Sequence, residues 1–287
     1  MKSGFIAVAG RPNVGKSTLL NALTGEHIAI VSKVPHTTRH RIRGIVTTEE
    51  AQLVLVDLPG WQRPIDMLTE RMQGRVDDAM TDDLDAVLLV VNARERIGAG
   101  DKFVARRVFS LGIPVVIVVN KVDRLKAGHI ATQMKAAAEL GDFHALHPVS
   151  AKTGDGIGEL RADLVSLLPE GPLYYPDGEV TDMPLEARIA ELVREQALRL
   201  LKEEVPHSVT AEVVEIDEHR VHVRVYTETE SQKMILIGKG GQMVREIGRW
   251  ARPAIEELVG HTIFLELQVK SSPKWRRNET MLERLGL

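Results

Sequence analysis

The sequence predicts a mostly parallel, doubly wound α/β domain followed by a smaller α+β module, and three observations carry that prediction. Continuous apolar runs alternate with amphipathic stretches over residues 5–170. The pattern stops at 169–182, a segment rich in Pro, Gly and acidic residues. Beyond it, apolar residues alternate with polar ones or recur at helical spacing. Continuous runs mark strands covered on both faces, whereas alternation marks strands with one wet face.

The runs FIAVA (5–9), QLVLVD (52–57), DAVLLVV (85–91) and PVVIVV (114–119) are the strand candidates, with FHALHPVS (143–150) a weaker one. RIRGIVT (41–47) alternates more and fits an edge strand next to QLVLVD. Helices over 16–24, 66–80, 101–110, 127–140 and 156–168 would cover both faces of the sheet. The stretch PEGPLYYPDGEVTD (169–182) reads as a linker, which divides the chain into domains 1–172 and 180–287. An amphipathic helix from about 184 to 204 follows, then strands SVTAEVVEI and RVHVRVYTE with a turn near Glu218 and His219. A short helix (231–237), the tetrapeptide GKGG, a helix to about 259 and the strand TIFLELQVK complete the order helix-strand-strand-helix-helix-strand.

Composition narrows the class. A chain of 287 residues with 44% hydrophobic content has material for two cores. The absence of cysteine excludes disulfide frameworks and cysteine-ligated metal, and agrees with a reducing compartment. No apolar run approaches the roughly 18 residues of a membrane span, and Met1 to Gly10 does not read as a signal peptide. The cytoplasm is the expected location. Residues 173–230 carry 6 Lys/Arg against 14 Asp/Glu, while 231–287 carry 10 against 6. The carboxy-terminal end is therefore where a polyanion would bind, although charge alone does not decide it.

Residues 10–17, GRPNVGKS, match the phosphate-binding pattern G-x-x-x-x-G-K-[ST] between a strand and a helix. Gly10 and Gly15 let backbone N–H groups converge on a β-phosphate, Lys16 supplies charge to the β/γ oxygens, and the Ser17 hydroxyl suits Mg²⁺. The candidate phosphate-binding set is Gly10, Asn13, Val14, Gly15, Lys16, Ser17 and Thr18. The base is chosen by Asn120-Lys121-Val122-Asp123 after the strand PVVIVV. A carboxylate at Asp123 accepts from the N1–H and N2 amino group of guanine, and adenine offers neither donor there. Asn120 would tie loops together, Lys121 lie along the base, and Ser150-Ala151-Lys152 place a backbone N–H on guanine O6. These residues point to GTP and GDP as ligands and argue against an ATPase.

Asp57-Leu58-Pro59-Gly60 lies at another strand end, with Asp57 suited to the Mg²⁺ shell and the Gly60 N–H to a γ-phosphate. In the loop Pro35-His36-Thr37-Thr38-Arg39, Thr38 is the expected Mg²⁺ ligand, closing only when the γ-phosphate is present. Ser17, Thr38 and Asp57 thus form the metal set, and Lys16, Thr38 and Gly60 belong to the catalytic one. Trp61 stands where Ras-like enzymes keep a water-orienting Gln; it cannot polarise water and reads as a packing residue, so unaided hydrolysis should be slow. The glycines of Gly154-Asp155-Gly156-Ile157-Gly158 read as a helix-capping loop, since no suitable βαβ unit follows them.

In the second module, Gly238-Lys239-Gly240-Gly241 joins two helices as a G-x-x-G turn. Such a turn clamps nucleotide backbone in KH domains, beside an apolar groove for bases. Candidate RNA contacts are Gly238, Lys239, Gly240, Gly241, Lys233, Arg245, Lys274 and Arg276, with Arg249 and Arg252 nearby. Trp275 would either stack on a base or anchor the tail.

The phosphate loop, DLPG, NKVD and SAK resemble the translation-factor branch of GTPases, and NALTGEHIAIVSKVPHTTRHRIRGI closely resembles the Era family. The resemblance covers essentially the whole chain and implies a GTPase with a carboxy-terminal KH domain. It further implies binding to the 3′ end of small-subunit ribosomal RNA and to the 30S particle during small-subunit assembly. At position 36 the family's usual glutamine is replaced by His36, which leaves the role of Thr38 intact. Related GTPases use the Asn of GRPNVGKS to hold K⁺ where an arginine finger would sit; by resemblance Asn13 does so here, or else it caps the loop. The rival reading is a GTP-dependent signalling protein with a protein target or peripheral contact at the inner face of the cell membrane.

Overall fold

The protein is described by a computed structural model covering residues 1–34, 37–61, 64–81 and 83–287. Two compact units result: Met1–Ala29, Thr38–Pro64 and Arg71–Asp182 form the first, and Ile30–Thr37, Ile65–Glu70 and Met183–Leu287 the second.

The first unit is built on strands β1 (Lys2–Ala9), β2 (Ile42–Thr47), β3 (Ala51–Asp57), β4 (Ala86–Asn92), β5 (Val115–Asn120) and β6 (Ala145–Val149). They lie in the order β2-β3-β1-β4-β5-β6, with β2 antiparallel to β3 and every other pairing parallel. Every residue of β3, β4 and β5 is buried, which is why those runs are apolar without alternation. Helices α1 (Lys16–Thr24), α2 (Met67–Thr81), α3 (Ala99–Phe109), α4 (Ala127–Ala138) and α5 (Ile157–Leu167) follow the expected order. Gly156 caps the start of α5 with φ 75°, the role expected of that loop. β1 begins at Lys2 rather than Phe5, because Lys2, Ser3 and Gly4 pair with Ala51, Gln52 and Leu53. The buried but polar Ser3 hides this extension from an apolar-run criterion.

Residues 169–182 run along the first unit rather than free of it. Ser3 N–H donates to Pro169 (2.9 Å), and Gly171 N–H to Met1 (3.0 Å). The buried Gln52 side chain accepts from the Tyr174 and Tyr175 N–H groups (2.8 and 3.0 Å) and donates to the Tyr175 carbonyl (2.9 Å). Ile45 N–H donates to Val180 (2.9 Å), and Arg43 pairs with Asp182 at 2.5 Å.

The second unit contains α6 (Leu185–Leu200), α7 (Val205–Ser208), β7 (Thr210–Ile216), β8 (Arg220–Thr227), α8 (Glu230–Ile237), α9 (Gln242–Val259), β9 (Phe264–Ser271) and α10 (Glu279–Arg284). Its sheet order is β7-β8-β9, β7 antiparallel and β9 parallel to β8. The core joins Ile189 and Val193 of α6 to Val221 and Val223 of β8 and Ile247 and Ala251 of α9. The helix expected to reach 204 stops at Leu200, because Leu201 turns extended and both Leu201 and Val205 bury into this core. α7 and α10 were not expected from the sequence; each is too short to show a period.

Candidate functional site

The sheet delivers the phosphate loop, Asp57, Asn120 and Ser150 to the carboxyl ends of β1, β3, β5 and β6, where open α/β sheets bind ligands. Gly15 carries φ 101°, and a Cβ there would lie 2.4 Å from the Asn120 amide nitrogen, so glycine is required. Val14 is buried, and Thr18 stands in the first turn of α1. Lys16 is folded into the loop, its Nζ donating to the Gly10 and Arg11 carbonyls at 3.3 Å each. Burial lowers its pKa, opposed by the charge of Asp57. Arg11 is tied to Asp101 (2.7 Å) and Glu95 (3.0 Å).

Three oxygens converge where the sequence reading places a metal. Ser17 Oγ lies 2.9 Å from Thr38 Oγ1 and donates to Asp57 Oδ2 at 2.8 Å, and Thr38 Oγ1 donates to the same atom at 3.4 Å. The other carboxylate oxygen, Asp57 Oδ1, is buried without a hydrogen-bond partner. Burial raises the Asp57 pKa, against the pull of Lys16, Ser17 and Thr38. An orphaned buried carboxylate oxygen beside two hydroxyls fits Mg²⁺, a hard cation that takes oxygen ligands. Gly60 backs onto Pro12, where a Cβ would come within 2.9 Å. Trp61 is buried in the core of the first unit, its indole N–H toward Asp77 at 3.5 Å and the Arg107 guanidinium 5.5 Å from the ring, which is the packing role expected of it. Pro35 and His36 lie outside the described residues.

The candidate guanine corner is braced from several sides. Asn120 Nδ2 donates to the Val14 carbonyl (3.1 Å), and its Oδ1 accepts from Ala151 N–H (3.1 Å), so it does join loops. Lys121 has φ 70°, and its Nζ reaches the Asn13 carbonyl at 2.5 Å. Ser150 donates to Asp123 Oδ1 at 3.0 Å, and Lys152 stands exposed beside Ala151. Arg94 pairs with Asp123 Oδ2 at 2.5 Å and donates to the Asp123 and Lys121 carbonyls. Desolvation works to raise the Asp123 pKa, but the Ser150 hydrogen bond and Arg94 hold it below the usual carboxylate range. Arg94 escaped sequence reasoning because it follows β4, and only the pairing of β4 with β5 brings it here.

In the second unit, α8 ends at Gly238 (φ 74°) and α9 starts after Gly241 (φ 76°), with Gly240 at φ 58° between them. The turn is exposed at Lys239 and Gly240, and Arg245 donates to the Gly240 carbonyl at 2.8 Å. Beside it a groove of about 290 Å³ runs between α9 and β9, lined by Val244, Arg245, Gly248, Arg249, Leu265 and Leu267 among others. Gly248 was missed from sequence, although a glycine inside a long helix costs about 1 kcal/mol and is itself a signal. Lys233 pairs with Glu230 (3.1 Å). Arg276 is held by Glu228 (2.8 Å) and Asp66 (3.4 Å), and Lys274 sits at φ 53° before the buried Trp275. Trp275 donates to the Ser208 carbonyl at 2.7 Å, which selects anchoring over base stacking.

A phosphate loop, a carboxylate-bearing loop after β5 and a G-x-x-G turn beside a groove define the class, a GTPase that carries an RNA-binding KH module. Comparison with known proteins agrees. The family described as 50S ribosome-binding GTPase matches residues 5–121, and the KH domain family matches 199–276. GTPase Era of Mycolicibacterium smegmatis is 42% identical over 99% of this chain and 98% of its own length, and that of Mycobacterium tuberculosis strain H37Rv is 43% identical over the same shares. The chain belongs to the Era family of GTPases. Era in complex with MgGDPNP and nucleotides 1506–1542 of 16S ribosomal RNA superposes with TM-score 0.95 at 33% identity, covering 100% of this chain and 99% of that one. A single-residue variant of Aquifex aeolicus Era bound to GDP·AlF4⁻ does so with 0.93 at 34% identity over the same shares. Among the described residues no helix is long and apolar enough to cross a membrane.

Proposed function

We propose that this GTPase is a GTP-gated switch that binds the 3′-terminal part of small-subunit ribosomal RNA and acts in small-subunit assembly. The convergence of Ser17, Thr38 and Asp57 carries the gating, because it brings the Thr38 hydroxyl from its loop to the metal set, where a γ-phosphate would hold the loop closed. The RNA target rests on the relative solved with 16S nucleotides. The functional division is a GTPase domain over 1–172, extended by the attached stretch to 182, and a KH module beyond it. Guanine is read by Asn120, Lys121, Asp123, Ser150, Ala151 and Lys152. RNA backbone lies on Gly238 to Gly241, and its bases enter the groove beside Arg245. We place the protein in the cytoplasm; contact at the inner face of the cell membrane is the alternative that vesicle co-sedimentation would expose.

In the hydrolytic step, Gly10, Asn13, Val14, Gly15 and Thr18 position the phosphates, while Lys16 and the Gly60 N–H face the γ-phosphoryl group. Ser17, Thr38 and Asp57 would hold Mg²⁺, which when bound would supply positive charge against the phosphate oxygens. Among the described residues no side chain replaces the water-orienting Gln, so the unaided rate should be ~10⁻⁴ to 10⁻³ s⁻¹. K⁺ held at Asn13, whose φ of 64° lifts it into the left-handed region at the loop, would supply the missing positive charge. Hydrolysis should then run faster in K⁺ than in Na⁺, and Asn13→Ala should remove the difference. Equal rates in the two salts would return Asn13 to a loop-capping role.

The switch itself is tested by titrating a labelled 3′-end ribosomal RNA fragment at fixed salt, which phosphate contacts make essential. Binding should be tighter with a non-hydrolysable GTP analogue than with GDP, by about 5–150-fold if the coupling is of ordinary size. Thr38→Ala should abolish most of that difference while leaving GDP binding nearly intact. Coincident curves in the two nucleotide states would leave a GTPase and an RNA binder that merely share a chain.

A further inference from the structure

Residues 30–37 form neither helix nor strand among those described, so their backbone polar groups must find partners elsewhere. In the second unit, α6 meets both ends of the segment. Val31 N–H donates to Glu195 Oε1 at 2.7 Å, and the Thr37 carbonyl accepts from Arg194 Nη2. Arg194 is only 1% exposed, and a guanidinium that deep is stable only if neutralised. Glu191, one turn earlier, does so with a two-pronged pair, Nε to Oε1 at 2.7 Å and Nη2 to Oε2 at 2.6 Å. The fork therefore points one way, and the same Nη2 that meets Glu191 also takes the Thr37 carbonyl. A lysine, with a single charge point and no plane, would not reproduce this arrangement.

The bond lands on a consequential atom. The Thr37 carbonyl belongs to the peptide group whose nitrogen is that of Thr38, and a peptide group is planar and rigid. Fixing the direction of that carbonyl fixes the plane from which the Thr38 side chain departs toward Ser17 and Asp57. We infer that Arg194, oriented by Glu191, is a positioning residue for Thr38, and that Glu195 is the second anchor of the same loop. The inference rests on the reading of Thr38 as the γ-phosphate-dependent metal ligand.

The experiment uses the full chain with Mg²⁺ and compares affinity for a fluorescent non-hydrolysable GTP analogue with that for the GDP counterpart. Arg194→Lys keeps the charge and loses the fork. It should lower the preference for the analogue roughly tenfold, the scale of one charge-assisted hydrogen bond, and leave GDP affinity unchanged. Single-turnover hydrolysis should slow in parallel. In a Thr38→Ala background the Arg194 substitution should have no further effect, since its target is gone. Glu195→Ala should weaken the preference in the same sense, and Glu195→Gln, which still accepts from Val31, should restore it. An unchanged preference in a folded Arg194→Lys chain overturns the inference, as does full additivity with Thr38→Ala. If the Arg194 variants do not fold, the Glu195→Ala and Glu195→Gln pair decides: equal behaviour of the two overturns it. A wild-type chain with no preference between the nucleotides would overturn the reading of Thr38 itself, and the positioning role with it.

Discussion

Asp123→Asn should convert the guanine site into one that favours xanthine. The carboxylate offers both oxygens to guanine, one to N1–H and one to the N2 amino group. In the amide, one of those acceptors becomes a donor and meets the amino group head on. Xanthine carries a carbonyl at that position and so gains what guanine loses. Loss of one hydrogen bond to a charged acceptor, with a donor left facing a donor, corresponds to roughly 10–10² in affinity for GTP. The surrounding geometry makes the test clean. Arg94 also donates to the main-chain carbonyls of Lys121 (3.2 Å) and Asp123 (3.0 Å), so the loop keeps its brace when the carboxylate goes. Competition of GTP against XTP for the variant is the measurement. A variant that still prefers GTP would show that base recognition lies elsewhere.

Changing both Lys239 and Gly240 to Asp should collapse RNA affinity, by at least about 100-fold at moderate salt, while GTP binding persists. Two carboxylates would then face the phosphate path in place of one ammonium. Gly240 also holds φ 58°, so any side chain there strains the turn as well as repelling phosphate. Nucleotide binding is the internal control, because the phosphate loop belongs to the first unit. RNA affinity unaltered in the double variant would reduce the KH fold to an architectural likeness, and thermal melting of the second unit would distinguish lost recognition from lost structure.

The parts of the site that share a sequence neighbourhood were legible, and the parts assembled across the fold were not. Gly10, Lys16 and Ser17 sit within eight consecutive residues because one strand-to-helix turn wraps one phosphate group, so spacing alone exposes them. Asn120 and Asp123 likewise share one loop. Arg94 sits 29 residues from its partner Asp123, and nothing local marks it, since an arginine after a strand is usually solvated. The same holds for Arg194, which in sequence is one more charge on an amphipathic helix and in the fold is among the most buried side chains. Arg276 shows the same limit from the other side: its basic neighbourhood, KWRR, reads as exposed charge in the sequence, and only the fold brings Glu228 and Asp66 to it. The strands themselves were readable from composition because parallel strands must be apolar on both faces; the start of β1 was not, because Ser3 is polar though buried, and its N–H is bonded to Pro169 in the segment that returns after α5.

That returning segment has a second effect. β2 is one of the two edge strands of its sheet, and an edge strand displays backbone donors and acceptors that invite pairing with another molecule. Here the Ile45 N–H is already taken by the Val180 carbonyl, and Arg43 on the same strand is engaged by Asp182. The residues that join the two halves of the chain therefore also act as a guard rail for one border of the GTPase sheet. A fragment ending at 172 would leave that border open to association with its own copies, whereas one ending after Asp182 would carry its protection with it.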